Sequence, residues 1–480
     1  MKKIFVIVFL INISFAWWSS PVNLGISGAD DINPQTCRVQ LIFYPQTSLV
    51  WQTNLSGNWD VFSRFSYGGT WNDTLRITTD IACDSCPSVA YDFTRDCFWC
   101  AWQNNSAGNW DIYVSQSNID AWSTPYQLTT SSADDELPSV YVNLDTVWLV
   151  WQRAVTDSVN IYSAYYDGTT WATPSPITDD ANINNIRPKI NGRYDHPFLV
   201  WQREDDIYYS EFLSGVWQSP QPITTDPGND CNPELANICE PAWPPYTYGV
   251  WVVWQSDRDG NYEIYTTAYD TLDVHYRLTF NDSVDITPNP LFYMALVEQS
   301  MPAVTAFSTN RDGDYDIYTY FDYWYIDTLI PVDTTNSEDI LPVMTGGDVY
   351  IWVLWQTNRN TDWDIYGSSI FVGGVEESNA YDTKTVAKLT INPNPFKQIT
   401  EIRYQIGIDS RQKSVVSMNI YDVTGRLVKN FSRLTLDAQR PTFLFWDGTD
   451  IHGQSLPQGI YFVQLKNKTE TLTEKVVLTR

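Results

Sequence analysis

The sequence predicts an all-β chain: a seven-bladed β-propeller closed by an N-terminal strand, followed by a C-terminal immunoglobulin-like β-sandwich. Three observations carry that prediction. Trp-Gln pairs end an apolar run at Trp51, Trp102, Trp151, Trp201, Trp254 and Trp355, with Phe307 in the sixth place, at spacings of 51, 49, 50, 53, 53 and 48 residues. A period of about 50 residues marks supersecondary units that cannot bury their apolar faces alone. Each copy also carries the same signs in the same order: Asp-x-x-Pro, an apolar strand, a polar turn, an acid or amide before Ile-Tyr, then Trp-x-x-Pro-x-x-Leu/Ile-Thr, as at Trp122 to Thr129. That order makes four short strands per copy, the pattern of a propeller blade. Finally, Trp18 to Leu24 reads as the end of a copy, while the copy that starts at Asp339 reaches Val372 without its own Trp-x-x-Pro segment. The two fragments complete one unit, so the N-terminal strand is expected to be the outer strand of the seventh blade.

Taken in chain order, residues 1–16 start with Lys2 and Lys3, run apolar from Ile4 to Ala16 and offer Ser14 and Ala16 to a signal peptidase. This is a secretory signal peptide, too short for a stable membrane span, and the mature chain is expected to begin at Trp17. Repeats then fill residues 17–375. The fifth shows the hairpin best, with Asp230 to Pro233, Val250 to Gln255, the turn Asp257-Arg258-Asp259-Gly260 and Glu263-Ile264-Tyr265. Two β-rich runs across an Asp-Gly turn read as a hairpin, and Pro233 is expected at the first residue of a strand, where its missing N–H does least damage. The Trp-Gln and Ile-Tyr residues are expected to pack between blades, each aromatic removing about 150–250 Å² from water. The Pro-rich insertion from Ala236 to Gly249 and the segment from Leu291 to Pro302 break the repeat. Residues 376–388 read as a linker, and 389–480 as the second β domain.

Charge divides the chain at the same place. Residues 17–383 hold 13 basic and 49 acidic side chains, a net of −36, while 384–480 hold 14 and 8, a net of +6. So acidic a body repels phosphate backbones, which argues against nucleic acid and for cations or basic surfaces as partners. No later stretch reaches the length of a transmembrane helix, so no transmembrane anchor is expected.

Chemistry-bearing residues are few. The histidines are His196, His275 and His452, in separate places, which withholds the converging imidazoles of a Ser-His-Asp or His-rich metal site. His196 and His452 read as solvated turn residues. The cysteines lie between Cys37 and Cys239. Cys83-x-x-Cys86 and Cys97-x-x-Cys100 have the spacing of a structural zinc site, but they flank a short strand turn in an exported chain, so cross-strand disulfides and free thiols stay open beside zinc. Cys231 and Cys239 are further candidates for a disulfide, with Cys37 left over.

What remains is acidic. Asp31, Asp84, Asp135, Asp230, Asp285 and Asp339 hold the first position of Asp-x-x-Pro, with Asn185 in the fourth copy. In a propeller these positions and the Asp-Gly turns share one rim. They either accept backbone N–H bonds in tight turns or set up a ring of negative potential that captures a cation or a basic peptide. A second set, Asp257, Asp259, Asn261 and Glu263, echoed by Asp312, Asp314 and Asp316, places oxygens at every second residue. That pattern suits calcium as the one candidate cofactor, or an ordinary turn.

In the tail, Asn394-Pro395-Phe396, Tyr421-Asp422 with Gly425-Arg426, Gly459-x-Tyr461 and the final run from Lys475 resemble the C-terminal sorting domain of type IX (Por) secretion cargo. The same strings are similar to the immunoglobulin-like domain of the flagellar hook-capping family. The first resemblance implies that outer-membrane secretion machinery reads this domain, and that the protein is secreted or held on the cell surface. The hairpin phrase from Ser256 to Tyr265, with Leu278-Thr279 and Asp285-x-x-Pro288, resembles TolB-type propeller repeats, which implies fold alone. Two functions are expected to compete: a non-catalytic propeller presenting a binding face to a protein or glycan, and a polysaccharide-active glycosidase or lyase with its site at the channel mouth. A sialidase-type turn, Ser-x-Asp-x-Gly-x-x-Trp, is not met by the string from Tyr166 to Trp171, and Arg258, Arg311 and Arg359 occupy equivalent turns on different copies instead of clustering.

Overall fold

The protein is described here by a computed structural model. It describes residues 18–26, 28–39, 46–67, 70–117, 121–143, 145–193, 196–239, 247–268, 271–292, 303–323, 326–346, 350–371, 388–392, 394–397, 400–405, 414–436, 442–446, 448–450, 454–466 and 471–479. The proposed signal peptide, His452 and nearly all of the expected linker lie outside that set. Contacts divide the chain into two units, Met1–Val375 and Glu376–Arg480. Among the described residues every regular element is a strand, and no helix is long and apolar enough to cross a membrane.

In the first unit the described residues form seven antiparallel sheets. Their first strands are Asp31–Val39, Asp84–Asp92, Asp135–Asn143, Asn185–Arg193, Asp230–Cys239, Asp285–Phe292 and Asp339–Gly346, and we number the sheets 1 to 7 in that order. The second strand of each carries the Trp-Gln pair or Phe307-Ser308, and the third carries Ile-Tyr or its equivalent. Sheet 7 takes its fourth strand from the other end of the unit: Val22–Asn23 pairs with Asp364–Phe371, Val22 opposite Gly367.

Every first strand is bulged at Asp-x-x-Pro. In sheet 1 Ile32 pairs with Gln52 and Gln35 with Val50, so Asn33 and Pro34 together face Trp51. The same two-against-one count recurs in all seven sheets. The residue before each proline, from Asn33 to Leu341, has φ between 52° and 55°. Proline therefore sits inside the strand and not at its first residue: the bulge already breaks the ladder there, so no N–H is missed.

Apolar clusters lie between sheets. Trp99 and Val114 of sheet 2 pack with Leu149 and Trp151 of sheet 3, and equivalent clusters join each other consecutive pair. Leu24, Trp352 and Leu354 meet Leu49 and Trp51, joining sheet 7 to sheet 1. Polar bridges run in parallel with these clusters. The Gln of a Trp-Gln pair reaches into the next sheet and accepts the N–H of the positive-φ residue: Gln52 from Cys86, Gln103 from Leu137, Gln152 from Arg187, Gln255 from Thr287 and Gln356 from Asn33, at 2.8–3.1 Å. Sheets 4 and 5 are joined instead by a Lys189–Glu234 ion pair at 2.6 Å. Sheets 6 and 7 are joined by the Met344 N–H donating to Asn289 at 2.8 Å.

Gln356→Ala should cost about 1–3 kcal/mol, because it strands the Asn33 N–H beneath the sheet 7–sheet 1 junction. Gln202→Ala should be within about 0.5 kcal/mol of neutral, because Gln202 bonds only the local Glu204 carbonyl. Urea unfolding of both variants checks the contrast, and equal losses would remove the inter-sheet role from the glutamine.

The second unit is a pair of sheets: three strands, Lys388–Asn392, Thr400–Gln405 and Thr442–Trp446, and four, in the order Leu427–Leu436, Ser414–Asp422, Gly459–Lys466 and Thr471–Leu478. Trp446, Ile402, Met418, Val463 and Val476 fill its core.

Candidate functional site

The bulges converge. Residues from the first strand of all seven sheets line one cavity of about 280 Å³, to which each bulge contributes its positive-φ residue and its proline. The positive-φ positions are Asn33, Cys86, Leu137, Arg187, Asn232, Thr287 and Leu341. Behind them, at the fifth position of the motif, several side chains are spent on holding the wall. Ser88 accepts the Val140 N–H at 3.1 Å and Ser139 that of Ile190 at 3.2 Å, each from the next sheet.

The acidic set does not line this cavity as an open rim. Asp31, Asp84, Asp135, Asp230, Asp285, Asp339 and Asn185 are all 0 % exposed. Their oxygens are turned into the sheets, where they accept from the indole N–H of Trp51, Trp102, Trp151 and Trp201 at 2.7–3.0 Å. Arginine from the second strand or from the turn after it takes others: Arg153 holds Asp135 at 2.6 and 2.8 Å, Arg258 holds Asp230 at 2.7 and 2.9 Å, and Arg359 lies 3.3 Å from Asp339. These guanidiniums also stack on the tyrosine of Ile-Tyr, 4.1–4.5 Å from the rings of Tyr162, Tyr265 and Tyr366. The expected ring of negative potential is thus turned inward, as Trp–Asp or Trp–Asn bonds in sheets 1 to 4 and Asp–Arg–Tyr stacks in sheets 3, 5 and 7, with all four partners together in one bracket at Trp151, Asp135, Arg153 and Tyr162. Burial pushes the Asp31, Asp84 and Asp339 carboxyls up to about 6.

The calcium candidates are also committed elsewhere. Asp257 accepts the Asn229 N–H at 2.7 Å, Asp259 pairs with Arg277 at 2.6 Å, and Asn261 donates to the Asn281 carbonyl at 3.1 Å. Glu263 is buried against Arg277 at 2.8 Å, and Asp312 accepts from Tyr318 at 2.8 Å. Asp316 is buried under its strand, with one oxygen lacking a hydrogen-bond partner among the described residues, and Asp314 stands on the turn before it. Asp257, Asp259 and Asn261 stand on the turn between Thr247–Ser256 and Glu263–Ala268, and their side chains are taken up by the bonding of the hairpin and of the adjoining strand and loops. No group of three or more His, Cys, Asp or Glu side chains among the described residues is arranged to hold a metal.

The cysteine expectations are corrected as well. Cys97 faces Asp92 at the hairpin turn, whereas Cys83 lies beside Asn105 at the other end of the same two strands. Cys83 and Cys97 therefore sit at opposite ends of the hairpin, and the two Cys-x-x-Cys pairs cannot close on one zinc. Cys231 and Cys239 end a single extended strand, about 26 Å apart at 3.3 Å per residue, too far for a disulfide. The thiols of Cys37, Cys83, Cys86, Cys97, Cys100 and Cys231 are free, and burial pushes Cys86 and Cys231 up to about 11, away from thiolate chemistry. His196, expected in solvent, is half-buried and lies 3.2 Å from Glu211, which also holds Arg193. His275 stands edge-on to Trp254 at 5.1 Å.

Sequence reasoning missed Arg187. Its signal was there to read: at the third position of Asp-x-x-Pro it is the one charged residue in seven copies. Among the arginines of the first unit whose side chains are described, it alone makes no side-chain hydrogen bond or ion pair, and it is exposed at the cavity.

In the second unit the tail motifs hold the sandwich shut. Asn394 accepts the Val477 N–H at 2.9 Å and donates to the Lys475 carbonyl, while Phe396 is buried against Trp446 at 5.3 Å. Tyr461 donates to the Pro457 carbonyl at 2.6 Å. Asp422 accepts from Thr424 and Arg426 around the turn at Gly425, where φ is 80°, and these hydrogen bonds, the Thr424 hydroxyl foremost, pull its carboxyl down to about 2.

Residues 390–479 match the family model of the secretion system C-terminal sorting domain. No curated protein sequence matches the chain. Among solved structures, the chain is similar to the polysaccharide lyase Uly1, with 9 % identity, 68 % of this chain and 88 % of that one covered and a TM-score of 0.44. It is also similar to a Trypanosoma rangeli sialidase in complex with 2,3-difluorosialic acid, with 8 % identity, 95 % and 88 % covered and a TM-score of 0.42. A third is a subtype N10 neuraminidase-like protein of A/little yellow-shouldered bat/Guatemala/060/2010, with 7 % identity, 63 % and 98 % covered and a TM-score of 0.40. Motif, fold and family model agree on the tail, which is a type IX C-terminal sorting domain and marks this chain as a protein exported to the cell surface or secreted.

Proposed function

We propose that the first unit, residues 17–375 after removal of a signal peptide at 1–16, is a seven-bladed propeller of TolB-like repeats closed by its N-terminal strand. It acts outside the cell as a non-catalytic binding module, with the ligand, a glycan or protein end group, seated at the cavity. Delivery falls to the sorting domain at 389–480, beyond a linker at 376–388. The closed ring is supported by the apolar cluster and polar bridge that join each sheet to the next, the last to the first included.

One observation carries the binding reading. Among the described residues the cavity wall holds a single carboxylate, Glu234, and it is tied to Lys189 at 2.6 Å. Glycoside cleavage by the usual route needs two carboxyl groups across the scissile bond, and the Cys86 thiol is held too basic to serve as a nucleophile.

The test is a glycan array probed with the mature full chain and with Gln35→Trp, which fills the cavity from a side chain the structure leaves unbonded, together with product analysis on the same glycans. Saccharide binding without turnover, lost in Gln35→Trp, is the expected result. Turnover by the wild-type chain would replace the binding module with a polysaccharide-active enzyme.

A further inference from the structure

We infer that the cavity recognises a carboxylate, with Arg187 as the group that reads it. This rests on the cavity being the ligand site and names the chemistry it selects.

Six of the seven positive-φ positions around the cavity carry uncharged side chains, and sheet 4 alone presents a cation there. Its backbone is fixed on both sides: the Arg187 N–H donates to Gln152 at 3.1 Å, φ is held at 55°, and Pro188 follows. The attachment point of the guanidinium is therefore fixed, and the ordering cost on binding falls on the rotamers of the side chain alone. Lys189, the other cation of the wall, is neutralised by Glu234. Among the described residues one uncompensated positive charge therefore faces the cavity, inside a body of net charge −36.

Every other arginine of the unit whose side chain is described is spent on carboxylates or hydroxyls of the chain itself. A free guanidinium in this setting is costly to keep as ornament and chemically specific as a receptor: its planar donors match a carboxylate two-to-two. A phosphate dianion would need a second cation, which the wall does not offer. Near Arg187, the Ser139 hydroxyl accepts from Ile190 and keeps its own proton to donate to a neutral ligand oxygen. A volume of about 280 Å³ is at the small end for ligand pockets. It suits a single acidic residue, the shared feature of a uronic acid and of a peptide's C-terminal carboxylate.

Calorimetry on the mature full chain separates the sources with matched pairs: glucuronate against glucuronamide, and N-acetylglycine against N-acetylglycinamide. The acid of at least one pair should bind about tenfold or more tightly than its amide. Arg187→Gln should erase that preference and Arg187→Lys restore part of it, both with unchanged thermal midpoints, because the side chain holds nothing in the fold. Equal binding of acid and amide, an acid preference that survives Arg187→Gln, or no binding of either acid at millimolar concentration would overturn the inference. Saccharide binding that responds to Gln35→Trp but not to Arg187→Gln would leave the cavity as the ligand site and remove only its selectivity. Binding indifferent to both variants would remove both.

Discussion

Replacing Asp135 by alanine is expected to cost the first unit about 3–5 kcal/mol, the largest effect of any single substitution considered for this protein. Its carboxylate is fully buried and accepts at once from the Trp151 indole at 2.7 Å and from the Arg153 guanidinium at 2.6 and 2.8 Å. Removing it leaves a half-buried cation and a buried N–H with nothing to bond, and the penalty is the desolvation of those partners more than the loss of the pair. Asp135→Asn should be much milder. Sheet 4 makes that substitution naturally: Asn185 accepts the Trp201 indole at 2.8 Å, and its sheet's arginine, Arg203, moves to Asp180 at 3.0 Å. Urea unfolding of the two variants measures the difference. An alanine variant within about 1 kcal/mol of the parent would mean the bracket holds nothing together.

Stability is expected to fall as pH rises from about 4 to about 7, with Asp316 as the largest contributor. In sheets 1 to 5 the acid or amide before Ile-Tyr is met by the threonine that closes the copy; Thr78 reaches Asp60 at 3.2 Å and Thr129 reaches Asp111 at 3.1 Å. In sheet 6 that threonine is replaced by Asp333, whose carboxylate is drawn to Arg359. Asp316 is left buried, with an unpartnered oxygen and with Asp314 and Asp339 among its neighbours. Burial first, and those like charges second, push its carboxyl up to about 7. The native state therefore keeps a proton that the unfolded chain releases near pH 4, so the unfolded state gains on the native one through that interval. At pH 8, Asp316→Asn should stabilise the protein by on the order of 2–4 kcal/mol, and it should flatten the pH dependence by the same amount. Below pH 4 the two proteins should be nearly equal. Denaturant midpoints at pH 4, 6 and 8 read the slope, and a variant with the parent's slope would clear Asp316 of the effect.

The all-β class, the four-strand rhythm and the sorting tail were legible because their signals are local: alternation, turn residues and short tail motifs. The site was legible only in part. Asp-x-x-Pro was visible as a ring of acids, yet nothing local reveals that the Trp at the end of the next strand turns its indole onto the Asp, or that Arg153 and Arg258 follow it inward. Trp-Gln was readable as packing, whereas the glutamine's bond to a backbone N–H in a neighbouring sheet joins residues such as Gln356 and Asn33, which are remote in sequence. The cysteine spacing suggested a cluster because the count of residues between pairs was taken for proximity, and an extended hairpin carries Cys83 and Cys97 to opposite ends. Arg187 stood out only once the seven copies were aligned on the bulge.

The pairing of Val22 with Gly367 means that a strand made before the seven first strands of the sheets is the last to find its place. During synthesis the six earlier sheets have all their strands in local order, but the edge at Asp364–Phe371 stays unsatisfied until an early segment returns across the whole unit. Such a long-range step is slow, and an exposed edge invites pairing with other chains in the meantime. The seam is therefore the place where a competing strand peptide would intervene, by pairing with Asp364–Phe371 before Val22–Asn23 arrives.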